Sequence, residues 1–144
     1  MTTMMKDPEK TIGNIIDKQS ICYISSIDED GFPNTKAMLQ PRKRNGIREI
    51  YFSTNTSSRK VASFRHNPKA CVYFCDKRFY RGVMLRGTAE VLTDEAAKEM
   101  IWKFGDTMYY KGGVTDPDYC VLKFTATSAR YYCNFKSEDI KIEG

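Results

Sequence analysis

What this chain can fold into is set first by the order of its apolar runs and turns. ICYISSI (residues 21–27) reads as a strand, DEDG (28–31) as a turn, and a second strand follows at 33–41. Asn45-Gly46 is a strong hairpin signal, and a third strand covers 48–54. Two further runs, 70–76 and 80–93, lie three residues apart, and 119–133 closes the series. Runs this close pair as hairpins, because a parallel pair needs a crossover of a dozen or more residues. Six or so strands in this order predict a mainly β chain with small helices, closed as an antiparallel barrel rather than a doubly wound sheet. ACVYFCD (70–76) is apolar on both faces and is expected to be deeply buried. Gly82 and Gly87 are expected to bend or bulge the long run at 80–93.

Helices fit between these runs. Asp7-Pro8 reads as a cap and first helical position, and Ile12, Ile15 and Ile16 form one apolar stripe, so 8–19 is a helix. A short helix from Ser58 to His66 carries Val61 and Phe64 inward and ends at Asn67-Pro68. Thr93 is expected to cap a helix over 94–104, with Asp94 and Glu95 in its first turn, Met100, Trp102 and Phe104 along it, and Gly105 stopping it. Trp102 reads as core or as a pocket wall. TMYYKGGV (107–114) reads as a lid or as a packed loop, and the tail after 133 is polar.

Composition excludes several classes. At 144 residues with 41% hydrophobic and 12% aromatic content, the chain is one folded domain, 1–144. No apolar run is long enough to span a bilayer, and MTTMMKDPEK lacks a secretory core, so a cytoplasmic protein that spans no membrane is expected. The five cysteines form no C-x-x-C pair and read as reduced thiols. The single histidine, His66, sits at a helix end, so neither a metal site nor a His-based triad is expected. A net charge of +5 suits an anionic small molecule as well as it suits nucleic acid. The one dense basic cluster, Arg42-Lys43-Arg44, reads as a solvated hairpin tip.

STNTSSRK (53–60) is the stretch with chemistry. It lies where a strand hands over to a helix, so free backbone N–H groups stand among hydroxyls. Arg59 and Lys60 fall in the first helical turn, where cations oppose the helix dipole. An anion removes that conflict, and Arg and Lys are the side chains that grip phosphate. A Ser/Thr-rich cap with two solvated cations is the alternative. There is no G-x-x-x-x-G-K-[ST] pattern, hence no nucleotide P-loop.

EIYFSTNTSSRKVASFRHNPKACVYF, followed by RGVMLRGTAEVLTD, resembles the signature of the pyridoxamine 5′-phosphate oxidase-like family of FMN-binding split β-barrels. The likeness covers roughly 12–135. It implies an FMN-binding split barrel that forms a homodimer with the flavin at the interface. By position, Ser58, Arg59 and Lys60 would hold the FMN phosphate. Lys36, Ala37 and Met38 would run beside the flavin, and Ser53 and Thr54 would contact its ring or ribityl chain. Arg81, Gly82 and an aromatic near Tyr132 would approach from the partner chain, Gly82 standing where many members carry Gln. Where true oxidases grip the substrate phosphate with Tyr and Arg, this chain has Met100 and Phe104, and the C-terminal Arg-x-His element does not appear in CNFKSEDIKIEG. These departures argue against vitamin B6 oxidation and towards the small general-stress, flavin-reductase and nitroimidazole-resistance members.

The expectation is therefore an FMN-dependent oxidoreductase acting on a small molecule, with reduced nicotinamide or a similar donor. Trp102 and Met100 are candidates for its substrate pocket, and no side chain stands out as a catalytic acid or base. A non-catalytic flavin- or haem-binding stress module is the alternative. An oligonucleotide-binding barrel is disfavoured, because the basic and aromatic residues share no obvious strand face.

Overall fold

Pro8 fixes the first helical φ of α1 (Pro8–Lys18), and Asp7 caps it by accepting from the Lys10 amide at 3.2 Å. The computed structural model of the chain describes residues 5–143, so the leader expectation rests partly on residues 1–4, outside this range. Ile12, Ile15 and Ile16 enter the main core from α1. The strands are β1 (Ile21–Ile27), β2 (Pro33–Leu39), β3 (Lys43–Asn45), β4 (Glu49–Asn55), β5 (Lys69–Asp76), β6 (Arg81–Leu92), β7 (Tyr119–Cys133) and β8 (Lys136–Lys141). Two further helices are α2 (Arg59–His66) and α3 (Glu95–Ile101).

The strands form one sheet in the order β2-β1-β5-β6-β7-β4-β3, with β8 on the far half of β7, and every described pairing is antiparallel. Strand β7 is shared. Its first half pairs β4 from Tyr119 to Thr125, and its second half pairs β8 from Ser128 to Cys133. The β6–β7 ladder shifts register between Arg86 and Gly87, where a side chain at Gly87 would collide with the Thr125 carbonyl. The bulge lets one long strand serve both halves of a split barrel. Val72, Phe74, Leu85 and Phe124 fill the interior. On the outer face of β4 and β7, a smaller core of Tyr51, Ala97, Ile101, Tyr110, Tyr119 and Val121 lies beneath α3.

Several expectations are corrected. The described residues form eight strands, where the sequence predicts six or so. The sequence at 136–141 has no apolar period, yet it forms β8, because the free edge of β7 supplies backbone partners and Ile140 packs on the core. The β7–β8 turn puts Asn134 and Phe135 at φ 52° and 63°, a primed hairpin geometry that Phe adopts rarely and that therefore left no turn signal.

The basic cluster is not a solvated tip. Arg42 forks onto Asp106 at 2.8 and 2.9 Å, Arg44 forks onto Asp17 at 2.7 Å, and Lys43 and Arg44 belong to β3. Helix α3 ends at Ile101, not 104, and its cap is Asp94, not Thr93. The Asp106 carboxylate accepts from the Lys103 amide and from Arg42, which draws the chain out of the helix, so Trp102 is its C-cap and Phe104 stands in solvent. Strand β5 is buried on one face only. Tyr73 is 40% exposed and Cys71 and Cys75 are half-buried, because no further layer covers the outer face of this half of the sheet.

The five cysteines are free. Burial pushes the Cys22 thiol up to about 12 and raises Cys71 and Cys120, which keeps these thiols protonated. No helix among the described residues is long and apolar enough to cross a membrane.

Candidate functional site

Strand β4 ends in Ser53-Thr54-Asn55, and the next two residues are pinned from across the fold. The Thr56 amide donates to the Asp118 carbonyl at 2.7 Å and its hydroxyl to the Pro117 carbonyl at 3.1 Å. The Ser57 amide donates to the Asp118 carboxylate at 2.8 Å. This fixes the point at which α2 begins. Ser58 is the N-cap residue of α2, yet its hydroxyl caps no helix amide. Its Oγ is buried with no hydrogen-bond partner. An unpaired buried hydroxyl is costly, so its place invites an explanation.

The residue also borders a cavity. About 600 Å³ opens between the start of α2 and the β1–β2 turn, with Ser58, Arg59 and Lys60 on one side and Ser26, Asn34 and Thr35 on the other. A second cavity of about 230 Å³ lies between β2 and β4, lined by Ala37, Met38, Phe52, Ser53, Thr54 and the aromatic loop at Tyr109 and Tyr110. Lys36 and Lys60 line both, so the two volumes adjoin at these residues. Among the described residues, Lys36, Arg59 and Lys60 enter no ion pair. Burial holds Lys60 below the usual lysine range, and the charge of Lys36 lowers it further. Like charges held together beside a helix N-terminus have the chemistry that suits an anion.

The structure thus brings together Lys36, Ala37, Met38, Ser53, Thr54, Ser58, Arg59 and Lys60. It places Arg81, Gly82 and Tyr132 elsewhere, side by side on β6 and β7, where Gly82 pairs with Tyr132 and Arg81 bonds Asp76 at 3.1 Å. The Tyr73 phenol folds over Gly82 and fills the space a side chain there would need. Trp102 and Met100 line neither cavity. Trp102 packs on Tyr119 and Tyr110, with centroids 5.2 and 6.4 Å away, and Met100 is exposed.

Sequence reading missed the acidic turn at Asp28, Glu29 and Asp30, which lines the larger cavity, and Arg42, which lines the smaller one. It left TMYYKGGV undecided between lid and packed loop. The loop is anchored, since the Tyr110 hydroxyl donates to Asn55 at 3.2 Å while Tyr109 borders the cavity. No short-range signal marks these residues, because each reaches the site from a distant part of the chain.

Residues 8–133 match the pyridoxamine 5′-phosphate oxidase family. A curated pyridoxine/pyridoxamine 5′-phosphate oxidase of Caulobacter vibrioides is 36% identical over 74 residues, covering 51% of this chain and 32% of that protein. The chain thus aligns with about a third of that relative's length. Among solved structures, a protein of Clostridium acetobutylicum related to general stress protein 26 of B. subtilis is 39% identical, with 94% of both chains covered and a TM-score of 0.85. A pyridoxamine 5′-phosphate oxidase-related, FMN-binding protein of Nostoc punctiforme shares the fold at a TM-score of 0.67 and 9% identity, covering 99% of this chain and all of that one.

Proposed function

The chain belongs to the pyridoxamine 5′-phosphate oxidase family, and on that premise we propose that it binds FMN and is an FMN-dependent oxidoreductase acting on a small molecule. The observation that carries this reading is the pair of adjoining cavities at the start of α2, where Lys36 and Lys60 line both and Ser58 and Arg59 line the larger, with no ion pair on these three cations among the described residues. The residues fit a phosphate. Ser58 would donate a hydrogen bond, the first-turn amides of α2 would donate others, and Arg59 and Lys60 would neutralise charge. Lys36, Ala37, Met38, Ser53 and Thr54 would hold the ring and ribityl chain. Bound flavin supplies hydride-accepting chemistry, and the chain's own share is binding, orientation and electrostatics. Phe52 and Met38 give the smaller cavity an apolar lining, which limits water beside the ring.

The second half of the reading is a homodimer with the flavin between subunits. Ile21, Tyr23, Leu39 and Tyr73 are 49, 43, 66 and 40% exposed, and strand register sets them next to one another on β1, β2 and β5. A contiguous apolar face of this kind is what a self-complementary interface covers. Arg81, Gly82 and Tyr132 of the second copy would then complete the site. Light scattering should give twice 16.6 kDa; a 16.6 kDa particle with flavin still bound overturns the dimer.

Purified protein titrated with FMN should be yellow with flavin absorption bands, and NADH or NADPH should bleach it anaerobically. Pyridoxine phosphate should turn over poorly, because the resemblance puts Met100 and Phe104, both apolar, where true oxidases carry the Tyr and Arg that grip the substrate phosphate. A protein that retains no flavin bands after titration and desalting ends the FMN reading, and robust pyridoxal phosphate formation ends the exclusion of B6 oxidation.

A further inference from the structure

The larger cavity is two-faced in charge. Of its cations, Lys36 and Lys60 also line the smaller cavity and Arg59 follows Ser58 at the start of α2, while its acids come only from the β1–β2 turn, as Asp28, Glu29 and Asp30. The smaller cavity has no acidic lining at all. A ligand with its ring in the smaller cavity and its phosphate among Lys36, Arg59 and Lys60 would therefore turn whatever follows the phosphate towards that turn. A volume of 600 Å³ has room for more than one phosphate, so size does not exclude a longer ligand.

The three acids differ in their work. Asp28 builds the turn, accepting from the Asp30 amide at 3.0 Å, the Phe32 amide at 2.9 Å and the Asn34 side chain at 3.0 Å. The Asn34 bond, then the Phe32 amide, hold its carboxyl below the usual range. Glu29 and Asp30 are exposed, and neither carboxylate is paired among the described residues. Gly31, at φ 84°, closes the turn, and its amide donates to the Asp28 carbonyl at 3.0 Å. The fixed backbone keeps the two free carboxylates on the cavity wall.

We propose that Glu29 and Asp30 are a charge filter that restricts this site to ligands ending at their phosphate, a flavin mononucleotide rather than a flavin dinucleotide or any ester that continues into further negative charge. The inference rests on the FMN reading. With the first phosphate at Lys36, Arg59 and Lys60, a second one further along the larger cavity approaches two carboxylates, and the repulsion is set against the longer ligand alone.

The test is Glu29→Gln combined with Asp30→Asn, which keeps shape and leaves Asp28 to hold the turn. FMN and FAD are titrated into wild type and variant and followed by flavin fluorescence. At low ionic strength, the preference for FMN over FAD should fall about threefold to tenfold, the range for two exposed charges. Near 1 M salt, where the screening length is about 3 Å, the two proteins should converge. An unchanged preference with FMN still bound overturns the filter alone, and so does FAD too weak to measure in both proteins, since charge is then not what excludes it. Failure of the wild type to bind FMN removes the FMN reading and the filter together.

Discussion

Arg59→Ala and Lys60→Ala each weaken FMN binding by about tenfold to a hundredfold, as expected for losing one charge-assisted hydrogen bond of roughly 1.5–3 kcal/mol. Riboflavin, which has no phosphate, binds weakly and is nearly indifferent to both changes. The stability of the unliganded protein stays level or rises slightly. Both cations stand at the N-terminus of α2, and Lys60 is held below its usual range by burial and by Lys36. A site that served only to cap the helix would show the reverse pattern, with flavin affinity untouched and the melting temperature lowered. Ser58 already argues against a cap, since its hydroxyl bonds no helix amide. FMN and riboflavin titrations of the wild type and both variants decide the matter; variants that bind FMN as tightly as the wild type remove the phosphate from this place.

Asp106→Asn lowers stability by about 3 kcal/mol, near the low end for breaking a buried ion pair, and lowers Tm by roughly 10 °C. Arg42 and Asp106 have side chains only 17% and 7% exposed, and the carboxylate also accepts from the Lys103 amide. Hydrogen bonding to Arg42 holds the Asp106 carboxyl below its ordinary value of 3.8. A carboxyl depressed in the folded state stabilises the fold at all pH above 3.8, and that contribution disappears as pH falls through the lower folded value. Melting curves from pH 7 downward should therefore show the gap between wild type and variant narrowing below pH 3.8. A gap that stays constant with pH would mean the loss is packing rather than ionisation. The anchor matters for the site as well as for stability, because Arg42 and Tyr109 line the smaller cavity and Asp106 lies between them in the fold's contacts, bonding one and opening the turn that carries the other.

The sequence was informative wherever a property is carried by neighbours in the chain. Ile12, Ile15 and Ile16 mark α1 by spacing alone. Asn45-Gly46 marks a hairpin, and Gly46 takes the positive φ of 59° that such a turn requires. The run 53–60 announces a strand-to-helix junction rich in donors, and the structure gathers its Ser53, Thr54, Ser58, Arg59 and Lys60 with Lys36, Ala37 and Met38 around two adjoining cavities. These features follow from local periodicity, turn geometry and helix-end chemistry, which need no knowledge of what lies across the fold.

Only tertiary structure decided the rest. Strand β8 exists because β7 offers it an edge, not because 136–141 favours a strand. Trp102 leaves α3 because Asp106, paired with Arg42 from 64 residues away, draws the chain out of the helix. The acidic turn meets Lys36 and Lys60 across a cavity whose walls come from β1, β2 and α2. Tyr73 covers Gly82 because β5 and β6 pair in one particular register. In each case the partner is distant in sequence, and long-range pairing leaves no period or motif in the chain. Sequence determined most of the elements and where donors cluster. The closing of the barrel determined which side chains meet, because contact across a sheet depends on register and closure rather than on order along the chain.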